Sequence, residues 1–286
     1  MTAVPARARP RRSLRLKVIG CEVLARQIYQ RAATSAHVID VELLEKRLHE
    51  EASVLRTELQ RRIDAVESPP YDAIVLVYGL CNRATEGLVA RTAPLVIARA
   101  HDCITLYLGS RERYAAEFDE HPGTYYYSAD YLERGKDGRP AQDGDAAADE
   151  GMAFNSRIPA RYEDLVRRYG EDNARYLAGV YGSWHEHYSR AAYIHLPCTR
   201  CEVAGSRDAA GCAHAAPFRE RAVSMAAKHG WEYTQLEGDL GLIDKLLDGD
   251  WFSNGAPTSA ILVVPTGAAI FASFDERVII AAPAAL

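Results

Sequence analysis

Three cysteines stand just beyond strand-like apolar runs: Cys21 after residues 16–20, Cys81 after 73–80, and Cys103 after 94–98. Ligands of open α/β sheets bind in the crevice outside the carboxyl ends of the strands. Thiols delivered there by three strands are therefore candidates for one shared site. Zinc takes thiolates at about 2.3 Å in a tetrahedron and keeps one position open when it is catalytic. Cys21, Cys81 and Cys103 would supply three ligands, and His101 or a substrate the fourth. Three thiolates with an open position suit an iron-sulfur cluster equally. A metal-free reactive thiol and plain packing also stand, because cysteine is among the most frequently buried residue types.

Around this rim, Glu22, Asp102 and Arg111 are the expected catalytic groups. Asp102 follows His101, where it serves either as that ring's partner or as the cap of a following helix. Ser110 and Arg113 open a helix whose free N–H groups suit an anionic part of a cofactor, although Ser110 equally reads as an ordinary N-cap. Glu86 reads as a surface carboxylate.

A second constellation is Cys198-Thr-Arg-Cys201 followed by Cys212 and His214, four metal-ligand types within 17 residues. Its spacing departs from the usual finger pattern, where histidines lie three to five residues apart. A structural zinc or cluster site, a redox-active pair at Cys198 and Cys201, and unrelated thiols are all compatible with it. Spacing does not decide whether the two clusters form one site or two. His185 and His187 flank Glu186 without the i, i+4 spacing that puts two ligands on one helical face, and read as a solvated helix end.

Strand and helix signals alternate over residues 16–108: strands at 16–19, 37–41, 73–77 and 94–98, and helices at 24–33, 43–66 (broken once) and 84–92. Residues 73–77 are aliphatic throughout, as expected of a strand covered on both faces. A flavodoxin-like strand order 2-1-3-4 would make the three cysteine-bearing strands neighbours. Residues 111–118 and 162–181 read as helices, 121–127 as a turn with an aromatic cluster, and 134–151 as an exposed loop. Alternation then resumes with strands at 191–196, 231–236, 260–264 and 278–280, and helices at 216–229 and 240–247.

The expected fold is α/β, a doubly wound and mostly parallel sheet forming two lobes around a cleft with a helical middle segment, with one long mixed sheet as the alternative. The expected divisions are a flexible basic tail at 1–14, an N-terminal α/β half at 15–110, a helical middle at 111–190 and a C-terminal α/β half at 191–286.

The chain has 286 residues, 48% of them hydrophobic, and a net charge of −5. That charge argues against nucleic acid as a partner. Five arginines fall in residues 7–15, but no uninterrupted apolar stretch follows them, and none reaches the 18 or so residues of a membrane helix. A cytoplasmic location is expected, where thiols stay reduced and bind metals or catalyse rather than form disulfides.

Val77-Tyr-Gly-Leu-Cys81, Pro94-Leu-Val-Ile-Ala-Arg-Ala-His-Asp-Cys-Ile104, Leu108-Gly-Ser-Arg-Glu-Arg-Tyr114, Pro122-Gly-Thr-Tyr-Tyr126 and Ile261-Leu-Val-Val-Pro-Thr-Gly267 together resemble the bacterial and archaeal domain-of-unknown-function family 1638. The resemblance covers about residues 16–282. It implies an α/β protein, and relatives that occur near corrinoid-dependent methyl-transfer systems. A corrinoid cofactor or corrinoid protein partner follows from that context alone. Asn82 stands where the family leads one to expect a glycine, and the Cys198 to His214 cluster is not part of its common pattern.

The resulting expectation is a metal-dependent transferase that binds zinc or an iron-sulfur cluster and moves a group, methyl first, on a small molecule. A non-catalytic carrier or sensor of a metal or corrinoid, and a thiol or iron-sulfur redox protein, are the alternatives.

Overall fold

The computed structural model describes residues 12–66, 71–134, 166–167, 169–182, 184–196, 215–253, 256–257 and 259–284. Four parallel strands, β1 (Arg15–Cys21), β2 (Val38–Leu44), β3 (Ala73–Val77) and β4 (Leu95–Ala98), lie in the order β2-β1-β3-β4, the flavodoxin-like order. Every residue of β3 and β4 is buried, which is why both are continuous aliphatic runs rather than alternating ones. Helix α1 (Ala25–Thr34) connects β1 to β2, and α2 (Ala52–Asp64) connects β2 to β3. The latter buries Leu55, Leu59 and Ile63 at four-residue spacing. Each such side chain contributes about 1.5–3 kcal/mol. The expected break in that helix falls at residue 51, after a short 3-10 turn at Lys46–Glu50.

The expected helix at 84–92 is absent. Residues 81–87 form consecutive turns, and Val89 bridges to Ala269 across an antiparallel contact. Two helices follow β4, α3 (Cys103–Leu108) and α4 (Arg111–Glu120).

A second parallel sheet comprises β5 (Thr124–Tyr127), β6 (Arg190–His195) and β7 (Glu232–Glu237). Helix α5 (Ala129–Leu132) follows β5, α6 (Glu171–Gly182) precedes β6, and α7 (Ala216–His229) lies between β6 and β7. The period of two along these strands sorts their side chains. Tyr125, Tyr127, Ala191 and Tyr193 enter a small core with Met225 and Trp231, whereas Tyr126, Ala192 and Ile194 enter the main core beneath. The aromatic cluster expected at 125–127 is thus a strand that serves two cores.

After α8 (Gly241–Leu247) and a two-residue ribbon of β8 (Phe252–Ser253) and β9 (Ala256–Pro257), the strand β10 (Ile261–Val264) returns to the first sheet and pairs antiparallel with β4. β11 (Ala268–Ala272) and β12 (Ile279–Pro283) close the chain as a hairpin. The C-terminal segment is therefore shared: part of it extends the second sheet, and β10 completes the first. No helix among the described residues is long and apolar enough to cross a membrane.

Candidate functional site

The chain winds from β1 to β2 on one side and returns to β3 on the other, so the carboxyl ends of β1 and β3 flank the topological switch point where such sheets hold ligands. Cys21 is the last residue of β1 and is 3% exposed. Beyond β3 and β4 the two chains stay paired: Leu80 N–H donates to the Ala100 carbonyl and Cys81 N–H to that of His101, both at 2.8 Å. This pairing carries Cys81, also 3% exposed, alongside residues 101–103. Gly79 permits the approach, since a Cβ there would lie 2.6 Å from the Asp102 nitrogen.

The backbone then turns left-handed through three non-glycine residues, Cys81, Asn82 and Arg83, with φ of 49°, 54° and 63°. Each such residue costs roughly 1–2 kcal/mol, less for asparagine. The Ala84 N–H to Cys81 carbonyl bond at 3.0 Å and the Thr85 hydroxyl donating to the Gly79 carbonyl at 3.1 Å hold the turn. Backbone strain over-determined in this way concentrates at binding and catalytic positions.

Burial dominates the charge state of the thiols. It pushes Cys21 up to about 12, against a stabilising hydrogen bond from the Val23 backbone. Burial and then the Asp102 carboxylate raise Cys81, with Cys21 adding to the effect. Cys103 is raised by burial, then by Asp102, Cys81 and Cys21. Charging Cys21 or Cys81 thus opposes charging Cys103. At neutral pH they stay protonated unless a cation joins them, and a protonated thiol is neither nucleophile nor ligand. The Tyr78 hydroxyl, fully buried beside Cys21, Cys81 and Glu22, has no hydrogen-bond partner among the described residues.

The donor set is thus soft and has an orphaned hydroxyl beside it, which suits zinc or an iron-sulfur cluster in kind. In arrangement, no three His, Cys, Asp or Glu side chains among the described residues stand as a ready ligand group. His101 is not with the thiols. It is exposed, its ring 6.4 Å from that of Tyr114, in the wall of a cleft of about 530 Å3 between α4 and the 275–278 loop.

The other expected groups have identifiable partners. Asp102 is the N-cap of α3, accepting from the Ile104 and Thr105 N–H groups at 3.0 and 3.3 Å and from the Tyr114 hydroxyl at 3.4 Å. Burial raises its pKa. Glu22, 8% exposed, accepts from the Lys46 N–H at 2.8 Å and pairs with Arg134 at 3.0 Å. It ties the segment after α5 down over the end of β1. Gln27 does the same by donating to Asp130 at 3.0 Å. Arg111 lies in the cleft wall, donating to the Glu276 carbonyl and pairing with Glu112 at 3.2 Å. Ser110 caps α4, accepting from Arg113 N–H at 3.0 Å, while the Arg113 guanidinium reaches the Leu108 carbonyl at 3.4 Å. Cys198, Cys201, Cys212 and His214 lie outside the described residues.

Sequence reasoning passed over Tyr78, Gly79 and the 128–134 cover. The available signal was a glycine one residue past a tyrosine at a strand end and two before a cysteine, the footprint of two chains in close approach.

Residues 43–247 match a protein family described as Protein of unknown function (DUF1638). The match includes Cys81, His101 and Cys103 and begins after Cys21. No curated protein and no solved structure matches the chain.

Proposed function

Because the chain belongs to the DUF1638 family, whose description assigns no reaction, its site must carry the reading, and we propose a cytoplasmic enzyme whose rim thiols Cys21, Cys81 and Cys103 take zinc or an iron-sulfur cluster for group transfer on a small molecule. The supporting observation is that Cys21 ends β1, Cys81 follows β3 and Cys103 follows β4, three free thiols at the carboxyl edge of one sheet. Free thiols fit a reducing compartment.

The ligand set is narrower than the spacing alone suggests: His101 drops out of it by lining the cleft, and Asp102, expected as a catalytic group or a cap, serves as the cap of α3. Cys103 is the least buried of the three. The Tyr78 hydroxyl, buried and without a partner among the described residues, is the polar group beside Cys21 and Cys81 left to bond a bound species. The 128–134 segment, held by Glu22, packs against the turn at 22–24 that directly follows Cys21. A bound metal would supply Lewis acidity toward a thiolate or another small nucleophile. Methyl transfer is the reaction to assay first.

A carrier that holds the same ion without turnover is the second reading, favoured by the depth of Cys21 and Cys81. Elemental analysis of anaerobically purified protein tests both. A stoichiometric metal that is lost in Cys81→Ser and kept in Cys198→Ser supports the rim site. Metal kept in Cys81→Ser, or no metal at all, overturns it. Consumption of candidate methyl donors by the loaded protein separates enzyme from carrier.

A further inference from the structure

We propose that the free edge of β2 pairs antiparallel with the same edge of a second copy of this chain, about a two-fold axis at Val41, so that two sheets become one. β2 ends the five-stranded sheet, with β1 as its neighbour. The Val38 N–H donates to the Leu14 carbonyl, on the β1 side. Backbone groups alternate sides along a strand, so those of Asp40 and Glu42 also face β1, and those of Ile39, Val41 and Leu43 face away. Among the described residues nothing bonds these outward groups.

Proteins ordinarily blunt a sheet edge with short length, proline, lysine, a bulge or a covering element. β2 runs seven residues, holds no proline or lysine, and keeps an unbroken register with β1 from Val38 to Leu44. Val38 is 55% exposed, and Ile39, Val41 and Leu43 are half-buried. The opposite edge strand, β10, has four residues and packs against β12.

The pattern along β2 matches itself. With Val41 on the axis, Ile39 meets Leu43 of the second copy and Val41 meets its own equivalent. These residues carry the outward backbone groups, so each pair exchanges both N–H···O bonds. Their side chains share one face, against the core, and pairing joins two apolar stripes. On the other face Asp40 meets Glu42 of the second copy, where bare like charges would oppose association. Each is held by cations of its own chain: Asp40 by Arg15 at 3.1 Å, and Glu42 by Lys17 at 2.7 Å and by Arg62. An unrelated strand would need the same pattern by coincidence, whereas a second copy supplies it by symmetry. No cysteine lies in β2, so the inference is independent of metal at the rim thiols.

An edge contact is small among interfaces, which places the dimer at micromolar concentrations. Sedimentation velocity of the full chain should show twice the monomer mass at about 100 μM and the monomer at about 0.1 μM. Val41→Lys sets like charges on the axis and should weaken association roughly tenfold. Cross-linking makes the test independent of that variant. Cα atoms of a hydrogen-bonded antiparallel pair lie about 5.5 Å apart, within the span of about 4.4–6.8 Å that a disulfide bridges. Val41→Cys should therefore give, under mild oxidation, a covalent dimer that peptide mapping locates at position 41. Ile39→Cys, whose two copies stand roughly 13 Å apart along the paired strands, should not. A wild type that is monomeric at the higher concentration, a dimer that folded Val41→Lys leaves intact, or equal cross-linking of the two cysteine variants overturns the proposal.

Discussion

Replacing Gly79 with alanine probes the contact on which the rim geometry depends. Its Cβ would meet the Asp102 nitrogen at 2.6 Å, the Asp102 Cα at 2.8 Å and the Ala100 carbonyl oxygen at 2.9 Å, all backbone atoms that no rotamer change can move aside. Gly79 is not in the left-handed region, so the cost is steric alone. Overpacking of this kind costs about 1–3 kcal/mol. Parting the chains also weakens the Leu80–Ala100 and Cys81–His101 backbone bonds, each worth about 1 kcal/mol net. The entropic gain of glycine to alanine in the unfolded chain, about 0.4–1 kcal/mol, is too small to compensate.

The net loss should be about 2–4 kcal/mol, a fall in Tm of roughly 5–10 °C for a chain of this size. Gly87→Ala is the control. Its φ of 85° makes alanine strained, but the nearest atom to a Cβ there is 3.9 Å away, so only backbone strain of about 1 kcal/mol is expected. Thermal melts and alkylation rates of Cys103 read the two effects. A Gly79→Ala protein that melts with the wild type, or above Gly87→Ala, would refute the packing argument.

Glu117 pairs with Arg190 at 2.6 Å, and that guanidinium is 8% exposed, so Glu117→Ala leaves a buried cation and should cost about 3–5 kcal/mol in urea unfolding. Burial, with Glu133 nearby, raises Asp130 from an ordinary 3.8 to about 6. The native state then holds the proton more tightly than the unfolded one, so this group's contribution is full below about pH 4 and is lost as pH rises to about 6. Asp130→Asn should remove that loss, of order 2–3 kcal/mol, in Tm measured against pH. By the same sign, Cys21 stabilises the protein fully below pH 9 and ceases to as pH climbs toward 12. Peptide mapping after iodoacetamide at pH 8 should find Cys103 modified before Cys21 and Cys81.

Aliphatic runs revealed the strands of the first sheet, because strands buried on both faces leave little freedom in residue choice; their order came from the flavodoxin-like arrangement and not from the runs. The turn at 81–87 was misjudged as helix. Ala84, Leu88 and Thr85 are good periodic core residues, and it is the tertiary clasp from Gly79 and the 268–270 strand that bends the chain there. Asn82 proved intelligible: it takes the left-handed conformation that asparagine tolerates, while Gly79 has the close-approach role. Strand order does bring Cys21, Cys81 and Cys103 to the carboxyl edge of one sheet, while no three ligand side chains among the described residues stand together as a ready metal group. The direction of His101 does not follow from strand order, because adjacent residues on an extended segment face opposite ways and only the packing of α4 decides which side is the cleft. The hold of the 128–134 segment on the chain just after β1, through Glu22 and Gln27, depends on contacts over a hundred residues away in sequence and leaves no local pattern.

Anaerobic cobalt(II) titration of the apo-protein, followed by sulfur-to-cobalt absorption, addresses the rim thiols most directly. The account predicts thiolate-cobalt bands that saturate, release protons and disappear in Cys81→Ser while persisting in Cys198→Ser. Bands indifferent to Cys81, or none in a correctly folded protein, would contradict it.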